Sequence, residues 1–441
     1  MPDVSVPWGA GELQFALPEN WRVQQIAKAS LRAAPDDWQQ HLARALNQPT
    51  SGPPLGRLLQ ARRKGRIAIV VEDLTRTSPL SEILELIMRE MHHAEVSDEN
   101  LEIVVASGMH PPMTAEQARA KIGPLADAIR WRCNPWQTRG AHVRVGRAGR
   151  LDVEIDRGLL DADLRILVSS VSAHLQAGFG GGYKMLVPGC ASLETIRALH
   201  RLGVSRTPRA LAGTAREQNS MRQAIDDAGE LIDQAHGTSF SVQYLLDDHD
   251  RPAFVGAGEV LPTQQMLAKR CAVACGVVVP ERADVLITNA APRDHDLWQS
   301  FKCIANTRWA ARPNGVIVCL ARCEGGTEGM NIPRWPLSPA WTRRTIRTLG
   351  SEAISSLITR LLPHLAGDAA FFIRMAVQAV HRNPIFLVSP TLHETLGSFP
   401  GLELFATVEQ AADAARAILG DGPQRVTVFP EGGITFPVAA G

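Results

Sequence analysis

The chain alternates short apolar runs with polar loops and amphipathic stretches. Ile67 to Val71, Leu101 to Ala106 and Leu164 to Val168 are dominated by Ile, Leu and Val. They are too short for buried helices and read as strands of a parallel sheet covered on both faces. Each run opens into a loop followed by a helix signal. After Glu72 to Pro79, Pro79 stands at the start of a helix to about His92, with Ile83, Leu84, Leu86, Ile87 and Met91 on one side. Thr114 is an N-cap for a helix from Ala115 to Ile122, with Gln117 at the capping-box position. Leu13, Phe15 and Leu17 alternate with other residues as a short strand closed by Pro18, and helices are expected around Arg22 to Ala33 and Asp36 to Leu46. The same grammar continues downstream. Helices are expected at Ser220 to Ala235, from Pro262 to Cys275, and at Leu297 to Ala311, Glu352 to Leu365, Ala369 to His381 and Val408 to Leu419. Strands are expected at Phe240 to Leu246, Val285 to Ile287, Val316 to Leu320, Ile385 to Val388 and Val426 to Phe429. The expected class is α/β, with two domains of largely parallel, helix-flanked sheets and a cleft between them. The junction falls near residue 265, giving domains 1–265 and 266–422, with the tail 423–441 a candidate to cross back to the first.

Length supports this division, because 441 residues exceed one ordinary core. A formal charge of +1 gives no global field for nucleic acid or an anionic membrane, so neither is an expected partner. No secretory signal opens the chain and no run reaches the length of a membrane helix, so a cytoplasmic location is expected. The seven cysteines include two C-x3-C pairs, Cys271/Cys275 and Cys319/Cys323, which lack zinc-knuckle spacing and read as reduced, buried thiols.

The chemistry concentrates in the loops after the apolar runs. Ser172 to His200 crosses four glycines between Gly178 and Gly182, then Lys184, and enters a helix from Ser192. Glycines at a strand–loop–helix turn suit a bulky anion, though a tight surface turn with a solvated lysine has the same pattern. Asp73 and Arg76 follow one strand, His110 another and His174 a third, where open α/β sheets place ligand sites. Gln299 and Lys302 stand i,i+3 on one helix face. Taken singly, each has an ordinary structural explanation. Two histidines, a lysine and an arginine at strand ends of one sheet point together to an active site.

Four separated motifs then resemble one family, the nickel-pincer lactate racemases and related 2-hydroxyacid racemases and epimerases. They are D-L-T-R at Asp73 to Arg76, G-M-H-P-P-M-T at Gly108 to Thr114, the long stretch from His174 to His200, and W-Q-S-F-K at Trp298 to Lys302. The resemblance spans most of the chain. It implies a pyridinium-3,5-bisthiocarboxylic acid mononucleotide carrying nickel in a planar pincer, covalently attached at Lys184. His200 supplies a further metal ligand, and Lys184 contributes through the thioamide sulfur of its adduct, a soft donor set that suits Ni(II). Asp73, Gly180, Gly181 and Gly182 belong to the implied cofactor-binding set. His110 and His174 are the implied acid–base pair, one for each enantiomer, and Asp73 could also orient a cationic or imidazole partner. Arg76, Gln299, Lys302 and Trp298 are the implied substrate-binding residues. The implied partners are a small 2-hydroxy acid and the enzymes that build the cofactor.

The implied reaction avoids direct deprotonation of Cα, which is not acidic enough beside a carboxylate. Oxidation to the 2-oxo acid by hydride transfer, and reduction on the other face, achieves the same inversion, and histidine suits proton transfer in both directions. Two departures from the family pattern stand out: Trp298 where tyrosine is frequent, and Pro111 after His110 where arginine is common. Both suggest a more apolar site and a substrate bulkier than lactate. Other classes are a pyridoxal-phosphate enzyme using Lys184, which leaves His200 without a role, and a non-catalytic carrier of the pincer cofactor. A nucleoside-triphosphate loop is excluded, since Tyr183 and Met185 flank Lys184.

Overall fold

The computed structural model describes residues 3–204, 210–327, 337–362, 370–397 and 399–439. The chain divides into two compact units. One comprises Leu31–Gly203 and Thr214–Ala274; the other comprises Met1–Ser30, Val204–Gly213 and Cys275–Gly441.

The first unit is built on a six-stranded sheet in the order Pro252–Gly258, Thr238–Leu246, Leu164–Ser170, Ile67–Val71, Leu101–Val105, Arg130–Cys133. All pairs are parallel except the one made by the edge strand Pro252–Gly258. Ile67–Val71 is buried throughout because both faces are covered. Ile67, Ile69 and Val71 point into one core with the helices Trp38–Asn47 and Leu80–His93. Ala68 and Val70 point into the other, with the hairpin His142–Ala148/Leu151–Asp156 and the helices Leu193–Leu202 and Ser220–His236. Thr114 makes the expected capping box.

The second unit carries a fully parallel sheet in the order Leu402–Phe405, Ile385–Val388, Ala311–Leu320, Ala283–Asn289, Gln424–Phe429, Trp21–Ile26. Three expectations are corrected here. Residues 21–26 form an edge strand, not the start of a helix. Their alternating burial is that of a strand, and pairing with Gln424–Phe429 overrides local helix preference. The first thirty residues and the terminal strands therefore belong to the unit of residues 275–441, not to that of residues 31–274. The break in the chain falls after Ala274 because the helix Val260–Cys275, expected to open the second domain, stays almost wholly with the first unit. The helix expected at Glu352 to Leu365 is Ser351–Leu361; residues 363–369 lie outside the described residues. All seven cysteines are free thiols. No described helix is long and apolar enough to cross a membrane.

Candidate active site

Three adjacent parallel strands of the first unit deliver its candidate residues. Asp73 and Arg76 leave the carboxyl end of Ile67–Val71, His110 follows Leu101–Val105, and His174 follows Leu164–Ser170. Ile67–Val71 lies between the other two, so the loops converge.

Asp73 ties two of these loops together. One carboxylate oxygen accepts from the Thr75 backbone N–H at 3.1 Å and its hydroxyl at 2.6 Å, and the other meets His110 Nδ1. Burial raises the Asp73 carboxyl, but the His110 ring, Thr75 and Arg76 outweigh it and hold the group well below the usual carboxylate range. An ionised partner at Nδ1 keeps the ring proton there and leaves Nε2 as the acceptor. His110 is otherwise well exposed, at 59%.

His174 is held in the opposite sense. It sits in a tight hairpin, Ala173–His174 against Gly178–Phe179. Its Nδ1 accepts backbone N–H bonds from Gln176 at 3.2 Å and Ala177 at 3.0 Å. A ring nitrogen that accepts cannot carry the proton, so the neutral ring carries it on Nε2. Gln176 also donates from its side chain to the His200 carbonyl at 3.3 Å, joining the hairpin to the helix Leu193–Leu202.

Lys184 and His200 complete the group. Burial, with Arg76 and Arg222, lowers the Lys184 ammonium to about 8 against the pull of Asp73. Burial, then the charges of Lys184 and His110, lowers His200 to about 4, so its imidazole is neutral at pH 7. The structure thus brings Asp73, Arg76, His110, Lys184 and His200 within electrostatic reach of one another, with His174 tied to His200 through Gln176.

The glycine loop has a packing reason of its own. Its Phe179 and Gly181 carbonyls accept from buried Arg222 at 3.5 and 3.2 Å, the Gly180 carbonyl accepts from Gln264 at 3.1 Å, and the Gly182 N–H donates to Gln243 at 3.0 Å. Gly181 and Gly182 have positive φ, and a Cβ there would lie 2.6 Å from Gln243 and 2.8 Å from Gln264. Gly180 differs: its nearest neighbour would be 3.6 Å from an added Cβ.

A buried polar layer beneath the first loop was not anticipated. Glu72 accepts from the Ser170 N–H and hydroxyl, both at 2.9 Å, and from the Ser78 hydroxyl. Lys121 donates to the Arg76 carbonyl at 2.6 Å and lies 3.8 Å from Glu72. The available signal was a lysine on the apolar face of its helix, beside Ala118 and Ile122.

Trp298, Gln299 and Lys302 lie in the second unit, on the helix Leu297–Thr307. Lys302 donates to the Gln299 side-chain oxygen. Trp298 packs against Phe372 with centroids 3.8 Å apart and planes tilted by 41°, and Phe301 and Phe371 pack on the same Phe372 ring.

Among the described residues no cluster of three or more His, Cys, Asp or Glu side chains could hold a metal ion. A metal held at His200 would have to draw further donors from a bound group. The residues fit such a group: a neutral imidazole is the ligating form, and a lysine lowered toward neutrality is the form that can be acylated.

An aspartate-held histidine, a second histidine and a depressed lysine lie at the strand ends of a doubly covered sheet, which defines an α/β protein with a candidate acid–base site. Residues 8–213 match the family described as "Lactate racemase N-terminal domain". Lactate racemase from Thermoanaerobacterium thermosaccharolyticum is 26% identical over 345 residues, 76% of this chain and 78% of that protein. Lactate racemase from Lactiplantibacillus plantarum is 24% identical over 433 residues, 94% of each chain. The lactate racemase apoprotein structure from T. thermosaccharolyticum superposes with a TM-score of 0.83 at 21% identity, covering 99% of this chain and 100% of that one. A Thermotoga maritima structural-genomics protein gives 0.63 at 16% identity, covering 91% and 98%. The chain is thus similar to lactate racemases over most of its length, and residues 8–213 match their N-terminal domain.

Proposed function

We propose that this chain is a racemase or epimerase of a 2-hydroxy acid that works with a nickel-pincer nucleotide attached to Lys184 and ligated by His200. The observation that carries the reading is the Asp73-oriented His110 within electrostatic reach of a neutral His200, which also feels the Lys184 charge. The names of the curated relatives support the reaction class. When bound, the cofactor supplies a reversible acceptor for the Cα hydride. The chain's own work is binding, orientation and proton transfer. His110 takes the substrate hydroxyl proton at Nε2, and Asp73 stabilises the resulting imidazolium. Arg76 offers its planar fork to the carboxylate, on a loop whose backbone Lys121 holds. His174 offers an Nε2–H donor to the substrate oxygen in this arrangement, and it exchanges a proton once Nδ1 is released. The roles of Trp298, Gln299 and Lys302 in substrate binding rest on the motif resemblance. The two departures from the family pattern, Trp298 and Pro111, are what support a substrate side chain larger than a methyl group.

The test uses protein produced together with the cofactor-building enzymes. Intact mass and metal content are measured, then chirality-resolved turnover on lactate, malate, phenyllactate and sugar acids. A nickel-bearing adduct absent from Lys184→Ala, with racemisation abolished in His110→Ala and His174→Ala, is expected. Activity confined to lactate overturns the bulkier-substrate reading. An adduct without turnover of any 2-hydroxy acid leaves a carrier, and a borohydride-sensitive pyridoxal absorbance sinks the whole reading.

A further inference from the structure

We infer that the unit containing residues 275–441 holds a second site, for a small phosphate-class oxyanion, formed by Arg308 and Arg382 about the Trp309 indole with Arg282 at its mouth. It lies at the opposite end of its sheet from the strand ends where such folds place their active sites. Arg282, Arg308 and Arg382 each precede, within three residues, one of the adjacent strands Ala283–Asn289, Ala311–Leu320 and Ile385–Val388.

Arg308 is 5% exposed, and its Nε and Nη1 are buried with no hydrogen-bond partner among the described residues. Its Cζ stands 4.5 Å from the Trp309 ring centroid, and that of Arg382 stands 5.1 Å from the same centroid. The two guanidiniums are therefore no farther apart than these distances laid end to end. Arg382 gives one bond to the Ala311 carbonyl at 3.1 Å, while its Nε is also buried and unmet. Exposure falls inward, from exposed Arg282 through half-buried Arg382 to buried Arg308.

None of the three pairs with a carboxylate among the described residues. Other arginines at this end of the sheet do: Arg312 with Asp284, and Arg425 with Asp284 and Glu281. Acids are thus present at this end of the sheet but paired with other arginines. Burial and Arg382 lower Arg308 to about 9, and burial and Arg282 lower Arg382. At neutral pH both keep their charge. Two buried like charges with unmet donors call for a counter-charge that the described residues do not supply. A dianion with several acceptor oxygens matches two guanidiniums, whereas one carboxylate leaves a charge over.

The test titrates the full chain, purified without phosphate, with inorganic phosphate, adenosine 5′-monophosphate or acetate at constant ionic strength, read by calorimetry and thermal unfolding. Saturable phosphate binding is expected, weakened at least about tenfold in Arg308→Met, with acetate much weaker. Without phosphate, Arg308→Met should melt no lower than wild type, because it removes an uncompensated buried cation; with saturating phosphate, wild type should melt higher. Equal binding of the nucleotide identifies a phosphomonoester site, and its exclusion identifies one for free phosphate. If Arg308→Met does not fold, half-buried Arg382→Met carries the comparison. No saturable phosphate binding at millimolar concentration, or binding unchanged in the folded variants, overturns the inference.

Discussion

Replacing Lys121 by methionine should be among the most damaging single changes in the first unit that touches no candidate catalytic side chain. Lys121 is 8% exposed and Glu72 5%. The ammonium donates to the Arg76 carbonyl at 2.6 Å, reaches Ser78 at 3.4 Å and lies 3.8 Å from Glu72. Methionine fills similar volume but leaves the Glu72 carboxylate buried without its cation. Removing one partner of a buried pair costs about 3–5 kcal/mol. Glu72 keeps its bonds from Ser170 and Ser78, which spread the charge, so the lower end, about 3 kcal/mol, applies. Adding Glu72→Gln removes the stranded charge and should recover about 1–2 kcal/mol, a coupling a double-mutant cycle measures. Two compact units make one global midpoint ill-defined, so the readout is amide exchange of Ile67–Val71 in rising urea. A Lys121→Met variant within about 0.5 kcal/mol of wild type, or additive single changes, refutes the argument.

The remaining expectations are narrower. Asp73 has a depressed folded pKa, so its contribution is fully present above the ordinary carboxylate value, about 4, and is lost as pH falls below it. Asp73→Asn should flatten the stability profile in that acid range, and in loaded protein should cut turnover by about a hundredfold or more. Acylation of Lys184 by a small anhydride, followed by peptide mass spectrometry, should be half-maximal near about pH 8, and a midpoint near about 10 removes the case for an activated amine. Gly182→Ala must adopt φ +64° against Gln264 and should lose about 1–2 kcal/mol. Gly180→Ala should cost under about 0.5 kcal/mol, so a fall in cofactor loading at unchanged stability marks Gly180 as bordering the bound group. Nitrogen-correlated NMR of labelled histidines should find the proton of neutral His174 on Nε2 and that of His110 on Nδ1; the reverse at His174 would contradict the hairpin geometry.

Much of the first unit was legible because its core strands are nearly unbroken apolar runs and its helices carry their own start signals. Thr114 with Gln117, Ser192 and Pro79 all act locally, so sequence alone locates them. Trp21–Ile26 was misread because its state is set by a partner some four hundred residues away, which no local pattern reports. The candidate chemistry was legible where it sits in loops after strands. The layer that holds those loops was not. Glu72 and Lys121 reveal themselves only when strand order sets the loop of Ser170 beside that of Asp73, and Arg222 only when its helix packs under the glycine carbonyls. The glycines were read for what they could admit, whereas at Gly181 and Gly182 they are first required by close packing and positive φ.

The two histidines looked interchangeable in sequence, one for each enantiomer, and the structure separates them through what each gives its Nδ1. Asp73 is an anion, so His110 Nδ1 must donate and Nε2 is free to accept. Gln176 and Ala177 present N–H groups, so His174 Nδ1 must accept and Nε2 is already protonated. A racemase that oxidises either enantiomer needs each histidine as acceptor in turn. On the His110 side that state is built in. On the His174 side it requires the turn at 174–177 to release Nδ1, or the ring to turn over. Gln176 belongs to that turn and also holds the carbonyl of His200. Under the proposed reading, a proton cannot be exchanged at His174 without disturbing the residue that positions the metal ligand's helix. Because the equilibrium between mirror-image substrates is fixed at unity, kcat/KM must be equal for the two enantiomers, and the asymmetry can appear only as matched differences in kcat and KM.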